Sequence, residues 1–118
     1  MKALIVDDAK FLRETLKDIL KKHSIEVVAE GENGIEAVQL YKQLQPDVLI
    51  TDITMPKMNG IEAITKIKQE FPDAKIIICS AMGQQKMVIE AIEAGALDFI
   101  TKPFDEDRVM EAIKRVMN

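Results

Sequence analysis

Four short apolar runs in this chain each end in a side chain that can do chemistry. Ala3–Val6 leads into Asp7-Asp8, the stretch from Asp47 to Thr51 into Asp52, Ile76–Cys79 into Ser80, and Leu97–Thr101 into Lys102-Pro103. Such runs suit buried strands, and Pro56 stops the third from continuing as one. Singly, each ending has an ordinary use: Asp caps helices, Ser is frequent at strand ends, and Lys-Pro suits a surface turn. Together they supply three carboxylates, a hydroxyl and an ammonium. Carboxylates held close together repel and raise at least one pKa unless a cation intervenes. Their oxygens suit Mg2+, which favours an octahedral oxygen set and keeps some waters. With that ion present, one Asp can attack phosphorus as a nucleophile while the Lys and the hydroxyl hold the remaining oxygens.

That chemistry requires the strand ends to meet, and the intervening segments show how they can. From Ala9 the apolar period becomes helical, with Leu12, Leu16, Ile19 and Leu20 on one face and Arg13, Glu14, Lys17, Lys21 and Lys22 largely on the other. A short second strand, Glu26–Glu30, precedes a helix capped by Asn33 with Glu36 behind it and carrying Val38, Tyr41 and Leu44. Asn59-Gly60-Ile61-Glu62-Ala63-Ile64 repeats Asn33-Gly34-Ile35-Glu36-Ala37-Val38, which reads as the same cap chemistry used twice. The third helix then buries Ile61, Ile64, Ile67 and Phe71. A fourth helix over Gln84–Ala94 turns Val88, Ala91 and Ile92 inward, with Gly95 at its end. Asp105-Glu106-Asp107 opens a fifth, whose buried stripe is Val109, Ala112, Ile113 and Val116. Alternating βα units with strands apolar on both faces predict an α/β fold, a flavodoxin-like, doubly wound, five-stranded parallel sheet of order 2-1-3-4-5 with five helices. In that order the first and third strands lie side by side at the crossover, where such sheets bind ligands.

The bulk properties fit this reading. A chain of 118 residues suits one domain over 1–118, and a net charge of -4 with no basic cluster argues against nucleic-acid binding. Cys79 is the lone cysteine, which leaves no disulfide framework and fits a reducing compartment. No run spans a membrane and no signal segment precedes the first strand, so a cytoplasmic location is expected.

The sets Val6-Asp7-Asp8, Thr51-Asp52-Ile53-Thr54-Met55-Pro56 with Gly60, Ser80-Ala81 and Lys102-Pro103 resemble the response-regulator receiver domain of two-component signalling, in order along essentially the whole chain. The resemblance implies that Asp52 is the phosphoacceptor. Asp8 would bind Mg2+ directly and Asp7 largely through water, with the Thr54 backbone carbonyl as a further ligand. Ser80 would move toward the phosphoryl group, and Lys102 would pair with its oxygens beside a cis bond to Pro103. Phe99, otherwise a core residue by default, matches an aromatic switch that turns inward as Ser80 moves.

Ser80–Gln85 and Met87–Ile92 are most similar to the stand-alone chemotaxis regulators of thermophilic and Gram-positive bacteria. That similarity implies a monomer without an effector domain, phosphorylated by a histidine kinase, the chemotaxis kinase. It would present a surface of the fourth helix, fifth strand and fifth helix to the flagellar motor switch protein, with a phosphatase as a further partner. Its catalysis would extend only to its own phosphorylation and dephosphorylation. A sporulation-type phosphorelay receiver, or another stand-alone receiver, is the alternative. Position 54 is Thr and position 99 is Phe where the enteric pattern has Asn and Tyr. An aspartate-nucleophile phosphatase of the haloacid-dehalogenase type would want a D-x-D after the first strand, and Asp7-Asp8 are adjacent. An FMN carrier would want small hydroxyl or Gly residues there, and two carboxylates repel phosphate. His23 is expected to be exposed near the end of the first helix, with no partner cluster and no phosphotransfer role, and Met82 and Met87 half-buried.

Overall fold

The computed structural model describes residues 1–118. Its elements follow the βα alternation: β1 (Lys2–Val6), α1 (Lys10–Lys22), β2 (Glu26–Gly31), α2 (Gly34–Leu44), β3 (Val48–Asp52), α3 (Gly60–Glu70), β4 (Ile76–Ser80), α4 (Gln85–Ala94), β5 (Asp98–Thr101) and α5 (Glu106–Met117). All strands are parallel, in the order β2-β1-β3-β4-β5, as the strand pattern predicts. The register sets Asp52 beside Cys79 and Ser80 beside Thr101, so the strand ends lie along one edge of the sheet.

Side chains alternate across a strand, and so the apolar runs divide between two cores. Ile5, Ile50, Ile77, Cys79 and Ile100 face Leu16 and Leu20 of α1 and Val109 and Ile113 of α5. Leu4, Val6, Leu49, Ile76 and Ile78 face Ala37 and Tyr41 of α2, Ala63, Ile64 and Ile67 of α3, and Ala91 of α4. No helix is long and apolar enough to cross a membrane.

The repeated Asn-Gly-Ile-Glu-Ala segment closes the turns beside the crossover. Asn33 accepts from the Glu36 amide and Asn59 from the Glu62 amide, both at 2.9 Å; Glu62 returns the bond, accepting from the Asn59 amide at 3.2 Å. Both glycines answer to close backbone approach: a Cβ on Gly60 would strike the Asp52 carbonyl oxygen, and one on Gly34 the carbonyl of Met58. Gly60→Ala is therefore expected to lower stability by about 1–3 kcal/mol, the usual cost of overpacking. A urea midpoint equal to wild type would show that the β3–α3 turn opens without strain.

Burial differs from expectation at three places. Arg13, read as solvent-facing, is buried; it stands three and seven residues before Leu16 and Leu20, on their stripe. Ile92, read as inward, is 41% exposed, because α4 rests on the sheet through the small Ala91. β5 opens not with an apolar residue but with buried Asp98, which pairs with Arg108 and Arg115 of α5.

Candidate functional site

Asp7, Asp8 and Asp52 meet at the ends of β1 and β3, with one carboxylate oxygen from each lying within 4.8 Å of the others. Asp7 and Asp52 are buried and Asp8 is exposed. Each buried carboxylate has one oxygen fixed by backbone: Asp7 Oδ1 accepts from the Ala9 amide at 2.9 Å and Asp52 Oδ1 from the Ile53 amide at 2.8 Å. The other oxygens converge on one ammonium, Lys102 Nζ, at 2.9 Å from Asp7 Oδ2 and 3.2 Å from Asp52 Oδ2. Burial raises the Asp52 pKa and the charge of Asp7 raises it further; Lys102 and the Ile53 amide offset only part of this. Burial pulls the Lys102 pKa down, yet its bond to Asp7 and the two negative charges outweigh that and leave it raised.

The all-oxygen donor set fits a hard divalent cation better than Lys102 alone can serve it, since an exposed third carboxylate stands at the mouth. Without metal that third charge is a burden. Asp8→Ala is expected to raise the melting temperature in EDTA, by the equivalent of about 1 kcal/mol or less given its exposure. A fall in EDTA would count against a repulsive cluster.

Ser80 is buried at the end of β4, and its carbonyl accepts from the Lys102 amide at 2.8 Å. The Lys102–Pro103 bond is cis. Beside Ser80 a cavity of about 500 Å³ is lined by Ala81, Met82, Val88, Ile89, Phe99 and Lys102 among others. Phe99 does not lie in the core; it is 39% exposed, with the Arg108 guanidinium 5.5 Å from its ring centroid. Arg108 also donates to the Phe99 carbonyl at 2.6 Å and to Asp98 Oδ1 at 2.9 Å. Burial raises the Asp98 pKa, but Arg108, the Phe99 amide and Arg115 outweigh it and hold the carboxyl low.

Thr54 is exposed just past Asp52, and its hydroxyl accepts from Gln84 Nε2 at 3.0 Å. Met82 is 97% exposed rather than half-buried, whereas Met87 is half-buried as expected. His23 is exposed as expected; its Nε2 lies 3.0 Å from Glu106 Oε2, with Lys22 at 3.3 Å from the same carboxylate. Those two bonds, His23 first, hold the Glu106 pKa below its usual value.

Three contributors escape a reading of motifs. Arg13 donates to the Asp7 carbonyl at 2.7 Å and to Glu30 at 3.0 Å, bracing the β1 exit against β2. Its spacing on the Leu16–Leu20 stripe is the signal that could have found it. Asp98 could have been found by alternation with Ile100. The cross-loop contacts of Gln84 have no sequence signal.

Comparisons with known proteins agree with this geometry. Residues 3–114 match the response regulator receiver domain. The chain is 60% identical to the chemotaxis protein CheY of Bacillus subtilis, over 98% of this chain and 96% of that protein. It is 61% identical to the chemotaxis protein CheY of Thermotoga maritima, again over 98% of this chain and 96% of that one. Among solved structures, the CheX-CheY-BeF3-Mg2+ complex of Borrelia burgdorferi matches with a TM-score of 0.94 at 33% identity, covering 100% of this chain and 90% of that one. With the 2-1-3-4-5 sheet carrying carboxylates, hydroxyl and ammonium on its strand ends, the chain belongs to the response regulator receiver domain family and is CheY-like within it.

Proposed function

We propose that the chain is a phosphorylation-driven switch of chemotaxis type, acting through Asp52. The observation that carries this is the Lys102 ammonium bridging Asp7 and Asp52 among three converging carboxylates. Asp52 Oδ1 is held by the Ile53 amide, which leaves Oδ2 to attack. A new O–P bond forms there as the P–N bond of a kinase phosphohistidine breaks, and the departing imidazole takes up a proton from water. Lys102, already 3.2 Å from Oδ2, meets a phosphoryl oxygen, and the Ser80 hydroxyl closes on another. Mg2+ held by Asp7, Asp8, Asp52 and the Thr54 carbonyl would supply neutralisation of the remaining oxygen charge. Hydrolysis returns Asp52 and inorganic phosphate, and the chain turns over no other substrate.

The movement of Ser80 into the site opens room for Phe99 at the cavity they share, remodelling the face of α4, β5 and α5. Exposed Met82, Ile89 and Leu97 give that face an apolar character suited to a protein partner. The kinase and the flagellar motor switch protein are the proposed partners, supported by the identity to chemotaxis CheY proteins. Phosphate and partner reinforce each other because both favour the inward Phe99 state.

Intact mass after incubation with acetyl phosphate tests the reading. A phosphoryl adduct is expected with Mg2+ and not with EDTA. Absence of both adduct and released phosphate under every condition would overturn it.

A further inference from the structure

Gln84 sits at the N-cap position of α4, yet its side chain does not cap that helix. It reaches across the sheet edge instead. Its Oε1 accepts from the Ala81 amide at 2.7 Å, and its Nε2 donates to Thr54 Oγ1 at 3.0 Å. The orientation of the carboxamide follows from its neighbours, since a backbone N–H must face the oxygen. One side chain thus ties the loop after β4 to the loop after β3.

The amide it occupies is well placed for another use. Along a strand, successive residues aim their backbone groups to opposite sides. The Ser80 carbonyl faces β5, where it accepts from Lys102. The next amide, that of Ala81, therefore faces β3, and Asp52 is paired with Cys79, just before this point. A phosphoryl group on Asp52 Oδ2 presents several anionic oxygens. Lys102 can meet one, and the Ala81 N–H is the strand-end backbone donor on the side where another would lie. In the resting structure that donor is already engaged by Gln84.

We propose that Gln84 is a positioning residue that latches the resting state, withholding the Ala81 amide until a phosphoryl group displaces it. This rests on the reading of Asp52 as phosphoacceptor. Phosphorylation then requires the carboxamide to leave both Ala81 and Thr54, which frees the β4–α4 loop to follow Ser80 inward. The latch opposes spontaneous phosphorylation and is released by the anion that takes its place.

The test uses beryllofluoride with Mg2+, which forms a phosphoryl-like adduct on the Asp carboxylate, as an equilibrium probe. Gln84→Met keeps the side-chain length without the hydrogen bonds, Gln84→Ala removes both, and Thr54→Val removes one. Both Gln84 variants are expected to bind beryllofluoride roughly two- to tenfold more tightly than wild type, the range one net hydrogen bond spans. Their phosphorylation by acetyl phosphate, in which the new Asp52 O–P bond forms as acetate leaves, should quicken by a similar factor. Thr54→Val should move part of the way. A merely structural role would shift the melting temperature and leave these affinities alone. Equal or weaker beryllofluoride binding by both Gln84 variants, with wild type binding normally, overturns the latch. Failure of wild type to bind beryllofluoride overturns the Asp52 reading and the latch with it.

Discussion

Asp52→Asn is expected to abolish phosphorylation while making the protein more stable. The amide oxygen is a poor nucleophile and carries no charge, so uptake of phosphoryl from acetyl phosphate should fall by at least about a thousandfold, below detection by intact mass. The stability effect has the opposite sign because the native carboxylate is ionised where burial and Asp7 both resist it. A group whose folded pKa is raised favours folding fully only below its unfolded value and loses that contribution as pH rises through the folded pKa. The advantage of the Asn variant should therefore be absent below about the ordinary carboxylate value of 3.8 and grow as pH rises through the raised pKa. At neutral pH in EDTA a gain of about 0.5–2 kcal/mol is expected, read as a melting temperature several degrees higher. Mg2+ should reverse the ranking, since the wild type offers the ion one more carboxylate than the variant and a ligand of the folded state stabilises in proportion to its occupancy. A melting-temperature difference that does not vary between pH 3 and pH 8, as round settings bracketing that range, would locate the gain in packing rather than in ionisation.

The fold and the chemistry of the site are legible in the sequence for the same reason. Each apolar run ends where its strand ends, so Asp7, Asp52, Ser80 and Lys102 are named by position alone, and parallel topology brings them to one edge. The caps at Asn33 and Asn59 are local and therefore readable. What escapes depends on three-dimensional neighbours. Arg13 looks like an outward charge until the Asp7 carbonyl and Glu30 are seen to receive it. The outward Phe99 depends on Arg108, nine residues away on another element, offering its guanidinium to both ring and carbonyl. Gln84 is farther still from its partner, 30 positions along the chain from Thr54. Ile92 is outward because Ala91 takes the contact with the sheet, a competition between adjacent residues that periodicity does not resolve.

Lys102→Ala is expected to destabilise the protein more than any other single change at the site. Its ammonium is 2.9 Å from Asp7 Oδ2 and 3.2 Å from Asp52 Oδ2, and both carboxylates are buried. Removing one partner of a buried charged set leaves the others uncompensated, at a cost of about 3–5 kcal/mol. Although burial acts to lower the Lys102 pKa, its bond to Asp7 and the charge of Asp52 raise it overall. Its stabilisation is accordingly complete below the unfolded value of 10.5 and is lost only as pH rises through the folded pKa. The deficit of the variant should thus persist across neutral pH. It should shrink as pH falls through the raised pKa of Asp52, where that carboxyl takes up a proton and ends the repulsion. Mg2+ should rescue the variant by more than it stabilises wild type, because the ion then supplies positive charge that nothing else provides. Phosphoryl uptake should nonetheless remain depressed, by about a hundred- to a thousandfold, since the donor aimed at the phosphoryl oxygens is gone. Urea midpoints in EDTA at neutral and acid pH, followed by a Mg2+ titration, separate these effects. A midpoint equal to wild type at neutral pH would mean that the buried carboxylates do not depend on Lys102 for compensation, and would overturn its role as their counter-charge.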